Sequence, residues 1–315
     1  MLISRKRKAW SRIFTVMKNR GGRSMAFKES APEKSYKLKE RLEELYDAAL
    51  TESELMNLAK AMLEEIGSAD PYLRDHLIYS SFARLIGEGS FSHIMLEKIL
   101  AVCQDDSHLF YHLGAEGDDS VFTRSFSSLV LALVIQKDAA ERFLSDQTVQ
   151  YTYGKTLEYM KKEKDLRGYV QEKGWAHSMA HAADLLNELV RHPVISCSEQ
   201  LLLQGMDVIF HCVSRNDGVY TDDEPERLIF PLTAIFEKSN ENTLANKLNE
   251  LSLYEEDTRK SKSDGNAYYH LRTNLMMFYK SLYFRLKWID IFPAGRDLLE
   301  AHIRRLHIEV YGEKF

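Results

Sequence analysis

Six prolines and fifteen glycines in 315 residues are too few to punctuate an all-β fold with turns. Three cysteines, Cys103, Cys197 and Cys212, form neither an even set nor a paired spacing. A disulfide framework and a CxxC zinc site are therefore not expected, and the chain reads as cytoplasmic, from a reducing compartment. Long apolar runs are missing too. The stretch 126–136 is the longest of membrane character, far short of the roughly 20 residues that a helical span needs. There is no P-loop, no dinucleotide-binding glycine signature, no nucleophile elbow and no zinc-finger pairing. A net charge of −5 gives no reason to expect a nucleic-acid partner.

The chain is rich in Leu, Glu, Lys, Ala and Met, all strong helix formers. Hydrophobic residues make up 44% and charged residues 28%, enough for a core and a solvated surface. Apolar positions recur at i, i+3, i+4 and i+7, which predicts helices over 35–49, 52–66, 70–86, 90–104, 118–136, 145–163, 173–191, 196–214, 223–238, 241–258, 264–288 and 294–312. Thr51, Ser90, Ser196 and Asn240 are placed to cap helix starts, and Thr51 with Glu54 has capping-box spacing. No segment alternates with period two for long enough to predict a strand.

Five of these helices align on a cationic or imidazole residue near the start: Arg74, Arg124, His177, Arg227 and Arg272, spaced 50, 53, 50 and 45 residues apart. Another helix lies between each pair. A period of this length, with two helices per unit, predicts an all-α stack of antiparallel helix pairs, a HEAT/armadillo-like α–α superhelix. The aligned cations would then line one face and suit an acidic ligand or a protein partner. Structural ion pairs to neighbouring carboxylates, such as Asp118 and Asp119 beside Arg124, are the competing expectation.

The domain is expected to run over 35–315, preceded by a basic leader, 1–34. Within residues 1–23 there are eight Lys and Arg and no Asp or Glu. Arg20-Gly21-Gly22-Arg23 precedes Met25, and Arg-Gly-Gly is how a purine-rich ribosome-binding site reads as codons. Translation is accordingly expected to begin at Met25, which N-terminal mass spectrometry of the natively expressed protein tests.

The most distinctive segment is 165–184, with the pattern RG-x(5)-GW-x-H-x(3)-H-x(2)-D. On a continuous helix His177, His181 and Asp184 would share an arc of about 60°. Two imidazoles one turn apart with a carboxylate form a candidate site for a divalent metal, and an activated water there would give a metal-assisted hydrolase. The same residues can instead form a polar network that orients the 165–169 loop, or a ligand site without metal. Candidate ligand-binding residues are Arg124, Arg167, Trp175, His177, His181 and Asp184; Arg167 can clamp a carboxylate or pair with Asp165 or Glu172. The run Lys161-Lys162-Glu163-Lys164-Asp165 reads as a solvated helix end.

On that motif, and on Phe122-Thr123-Arg124-Ser125-Phe126-Ser127, the chain resembles a bacterial family, domain of unknown function 2785, over about residues 40–310. The resemblance implies a helical protein and supplies no reaction.

Overall fold

The computed structural model describes residues 33–45, 50–261 and 265–313. The expected leader and the Met25 start lie outside the described residues, apart from the leader's last two positions. The chain divides into Met1–Tyr36 and Lys37–Phe315, and the account below concerns the second unit.

Among the described residues there are thirteen α-helices: α1 (Glu33–Glu43), α2 (Glu52–Glu64), α3 (Ser80–Glu88), α4 (His93–Cys103), α5 (Ser120–Glu141), α6 (Asp146–Lys162), α7 (Ser178–Arg191), α8 (Pro193–Ser196), α9 (Glu199–Val213), α10 (Glu224–Phe236), α11 (Glu241–Lys260), α12 (Gly265–Trp288) and α13 (Pro293–Tyr311). A π-helical segment, Tyr72–Tyr79, runs into α3. Between α6 and α7 lie β1 (Tyr169–Val170) and β2 (Gly174–Trp175). Among the described residues the fold is all-α apart from this small hairpin.

Local chemistry sets several helix starts. The Thr51–Glu54 capping box is present, with Glu54 N–H donating to Thr51 Oγ1 and Thr51 N–H donating to Glu54 Oε2 at 2.8 Å. Asn240 accepts from Thr243 N at 3.0 Å to open α11. Two caps shift: Ser92, not Ser90, precedes α4. Ser196 instead ends the short α8, and Ser198 caps α9.

Packing follows a regular succession. Helix α3 lies against α5, α5 against α7, α7 against α10, and α10 against α12. These helices carry the five aligned positions, with Arg74 in the π-helical segment and His177 just before α7. The intervening helices also meet, α2 with α4, α6 with α9 and α11 with α13. One cluster of buried side chains runs through the unit, from Leu38 to Leu306. Helix α5 is buried on nearly every side, and its Ser125, Ser127, Ser128 and Ala132 let neighbouring helices approach closely.

Where the turn after α5 meets α8, Asp138 and His192 are both fully buried. Asp138 Oδ1 accepts from Phe143 N and Leu144 N, each at 2.7 Å. His192 Nδ1 accepts from Val194 N, so its proton sits on Nε2, 2.9 Å from Asp138 Oδ2. Burial lowers the His192 pKa, against the pull of Asp138. Asp138→Ala leaves three buried donors without an acceptor. Its urea midpoint is expected to fall, with unchanged m-value, by the equivalent of roughly 3 kcal/mol or more.

Candidate functional site

The helix expected from residue 173 begins only at Ser178. The chain before it folds back as an antiparallel hairpin, with Tyr169 opposite Trp175 and Val170 opposite Gly174. Strands of two residues leave no period-two signal, so sequence periodicity missed them. The backbone requirement is visible in the glycines. Gly174 has φ +76°, and a Cβ there would come within 2.9 Å of Pro71 Cβ. A Cβ on Gly168 would fall 2.2 Å from Asp222 Oδ2. The hairpin is thus pressed between the π-helical segment and the loop before α10.

Polar tethers hold it there. Arg74 donates through a terminal guanidinium nitrogen to Lys173 O at 2.7 Å, and through the other to Ser68 O at 2.7 Å. Lys173 Nζ lies 2.8 Å from both carboxylate oxygens of Asp119. Tyr169 N–H donates to Asp222 Oδ2 at 3.1 Å. Ala176 N and His177 N donate to Gly168 O and Arg167 O. Underneath, Val170 and Ala176 pack on Val121 and Phe122 of α5. The Arg74 guanidinium covers Phe122 at 4.2 Å and Phe126 at 4.7 Å.

Arg124 is fully buried and has no donor left for a ligand. Its Nε and one terminal nitrogen form a two-point pair with Glu163, at 2.6 and 2.9 Å. The remaining hydrogens go to Ser120 Oγ and to the carbonyls of Tyr111, His112 and Ala115. Its counter-charge is Glu163, 39 residues away, and not Asp118 or Asp119. Glu163 and Asp165 are buried, so the 161–165 run is not the solvated helix end that was expected; only its lysines are exposed. Glu163 Oε1 also accepts from Lys164 N and Asp165 N. Arg167 pairs with Asp165 at 2.6 Å and donates to Asp118 O. The Asp165 carboxylate in turn accepts from Gly117 N.

The three residues expected to share one helical face do not act together. His177 precedes the helix in a left-handed conformation, φ +44°. Asp184 turns to Arg227, whose Nε donates to Oδ1 at 3.1 Å while a terminal nitrogen donates to Oδ2. The imidazoles of His177 and His181 meet edge to face, with centroids 5.8 Å apart. Among the described residues no group of three His, Cys, Asp or Glu is placed to hold a metal ion. The row of cations is committed internally as well. Arg74 binds backbone carbonyls, Arg124 binds Glu163, Arg227 binds Asp184, and Arg272 donates to Leu306 O.

What gathers at the start of α7 is a stack with a polar floor. Tyr169, 57% exposed, meets the half-buried Trp175 edge-on at 5.0 Å, and Trp175 stacks on His177 at 4.3 Å. His177 Nε2 faces Glu224 Oε1 at 3.6 Å, and both atoms are buried without a hydrogen-bond partner. His181 Nδ1 contacts Ser125 Oγ at 2.7 Å, and that hydroxyl donates to Ala176 O. The single hydroxyl proton is thereby used, so Nδ1 of His181 carries the ring proton.

Burial pushes the His177 pKa down to about 4, with the Arg227 charge adding to it and Asp222 opposing. Burial first, then the charges of His177 and Arg227, holds His181 well below its ordinary value. Both rings are therefore neutral at pH 7. Burial raises Glu224 and Asp184, offset at Asp184 by Arg227 and at Glu224 by backbone N–H groups. His177 before α7 and Asp223 before α10 are both left-handed, φ +44° and +66°, at a cost of roughly 1 kcal/mol each. Glu224 was missed at the sequence level, because the 222–227 stretch reads as an ordinary acidic helix start.

The model of one family, described as a protein of unknown function, DUF2785, matches residues 109–284, more than half of the chain. The match contains the hairpin, both histidines and Glu224. No curated protein and no solved structure matches the chain.

Glu163→Gln leaves Arg124 as a buried, uncompensated charge, and a loss of about 3–5 kcal/mol in chemical denaturation is expected. An imidazole at about 4 when folded and 6.5 when unfolded takes its proton preferentially in the unfolded chain. The His177 contribution is therefore intact above pH 6.5 and falls as pH drops toward 4, by up to about 3 kcal/mol. Asp75, raised by burial to about 6, works in the opposite sense, losing stability as pH rises from 3.8 through 6. The readout is accordingly the wild-type curve minus that of His177→Asn, and the difference should shrink steadily between pH 6.5 and 4.

Proposed function

The chain belongs to the DUF2785 family, and from that premise we propose that it is a helical-repeat binding module that docks a protein partner on the hairpin at 169–175. The observation that carries this reading is an exposed aromatic held rigidly. Tyr169 stands on Trp175, Trp175 on His177, and the backbone under them is fixed by Arg74, Asp119 and Asp222. A connector that only joined α6 to α7 would not require left-handed backbone at Glu172, Gly174 and His177 together. Preordered aromatics at the centre of a contact surface are what protein interfaces use as anchors, because little side-chain entropy is lost on docking.

The rest of the unit acts as the scaffold. Helices packed in succession support the reading of stacked helix pairs in a HEAT/armadillo-like superhelix. So do hydrogen bonds that recur between residues 48–54 apart, such as Tyr153 to Leu201, Arg167 to Asp118 and His270 to Asn216. Three unpaired cysteines support a cytoplasmic setting. Among the described residues no helix is long and apolar enough to cross a membrane. An acidic ligand on the row of arginines would have to displace their internal partners. A metal-assisted hydrolase at His177, His181 and Asp184 would have to release Asp184 from Arg227.

A photo-crosslinking phenylalanine at position 169, incorporated in cells, tests the reading. A discrete heavier adduct is expected, lost when Trp175→Ala is added, and absent when the same group is placed at Ile94, which is somewhat more exposed than Tyr169. Equal labelling from both positions would contradict it. So would stoichiometric zinc, iron or manganese in untagged protein that disappears in His177→Ala/His181→Ala, the result that favours the hydrolase.

A further inference from the structure

An open cleft of 1030 Å³ lies between the ends of α6 and α9 and the flank of α11. None of its lining residues belongs to the aromatic stack around His177. Its apolar part is formed by Leu113, Phe210, Leu251 and Tyr254, the last 44% exposed. Its charges are unevenly committed. Two lining carboxylates have a cation each, Glu163 with Arg124 and Asp217 with Arg215, while Asp207 and Glu250 share Lys247, which leaves one carboxylate in excess there. Lys162 is paired with Glu158. Lys161 and Lys164 are exposed and form no ion pair among the described residues. Beside Arg215, Lys164 also helps to hold the Asp217 pKa down, and the positive charge in excess lies at the α6 end of the cleft.

The backbone that carries these lysines is fixed. Glu163, between them, is held by Arg124, and its carboxylate accepts from Lys164 N and Asp165 N. Arg215 donates to Glu163 O from the α9 side. The C-terminal end of α6 offers Lys161 a weak dipole partner, but Lys164 lies beyond the helix and has none. The volume is at the upper end for small-molecule pockets, which suits several side chains of a peptide better than one metabolite.

We propose that this cleft binds an acidic peptide segment, whose carboxylates meet Lys161 and Lys164 while an apolar side chain rests on Phe210, Leu251 and Tyr254. The site is independent of the hairpin surface. Charge complementarity selects the occupant: the two unpaired lysines at the end of α6 outweigh the one carboxylate in excess beside Lys247. An anionic segment laid against Lys161 and Lys164 gains both, and a cationic one finds its partner only at the Asp207–Glu250 end.

The test uses the full chain and a fluorescein-labelled peptide, Glu-Glu-Leu-Glu-Glu-Leu-Glu, followed by anisotropy at low and physiological salt. Saturable binding is expected that weakens at least tenfold in Lys161→Glu/Lys164→Glu, and severalfold in Tyr254→Ser. A peptide with Gln at every Glu position should bind at least tenfold more weakly. These are surface changes, and unchanged melting of each variant confirms that the fold is intact. Trp175→Ala, which removes the hairpin anchor, should leave this binding unaltered, so failure of either site is read separately. The proposal is overturned if the peptide shows no saturable binding, if charge reversal does not weaken it, or if a Lys-for-Glu peptide binds as well. It is overturned too if a single-stranded oligonucleotide binds the cleft and the acidic peptide does not.

Discussion

Arg124 and Glu163 meet out of contact with water, and much of the loop edge depends on that pair. The guanidinium gathers the carbonyls of Tyr111, His112 and Ala115, which fixes the approach to α5. The carboxylate gathers the amides of Lys164 and Asp165, which turns the chain out of α6. Asp165 then orders Gly117 and Arg167 in the same manner. Two buried charges of this kind are costly to desolvate, and only complete hydrogen bonding offsets the cost. Every donor of Arg124 is satisfied, so the pair contributes a fixed geometry from which the hairpin at 169–175 projects.

This explains which parts of the molecule could be read from sequence. Helices such as α2, α11 and α12 follow directly from the 3.6-residue period and from caps such as Thr51 and Asn240. Their signals are local, and nothing at long range overrides them. The spacing of about 50 residues between Arg74, Arg124, His177 and Arg227 also has a structural counterpart, since the helices at these positions pack in succession. What escaped was whatever depends on a partner far along the chain. Glu163 sits in a run that looks solvated, and only the fold brings Arg124 to it. Asp184 looks like a third ligand, and only the fold brings Arg227 to it. The hairpin escaped for a different reason: four strand residues have no period, and Gly174 serves equally well before a helix or in a tight turn.

The polar residues around the hairpin thereby divide into two kinds. Arg124, Glu163, Asp165, Arg167 and the Asp184–Arg227 pair are scaffolding, closed on themselves. Tyr169 and Trp175 are presented outward, with the buried imidazoles of His177 and His181 and the Glu224 carboxyl below them. Burial and the Arg227 charge keep the His177 ring neutral where Trp175 stacks on it. The helices thus offer a rigid aromatic face and, separately, a cleft edged by two exposed lysines that form no ion pair among the described residues.

The central claim is that an exposed hairpin is held as firmly as the helix it leads into. Amide hydrogen exchange at Tyr169, Lys173, Ala176 and His177 tests it most directly, because each of these N–H groups donates within the hairpin or to its tethers. Protection of the same order as in α7 is predicted, on the scale of local openings that cost several kcal/mol. Exchange at the rate of an unstructured peptide at these four amides, with α7 still protected, would contradict the account.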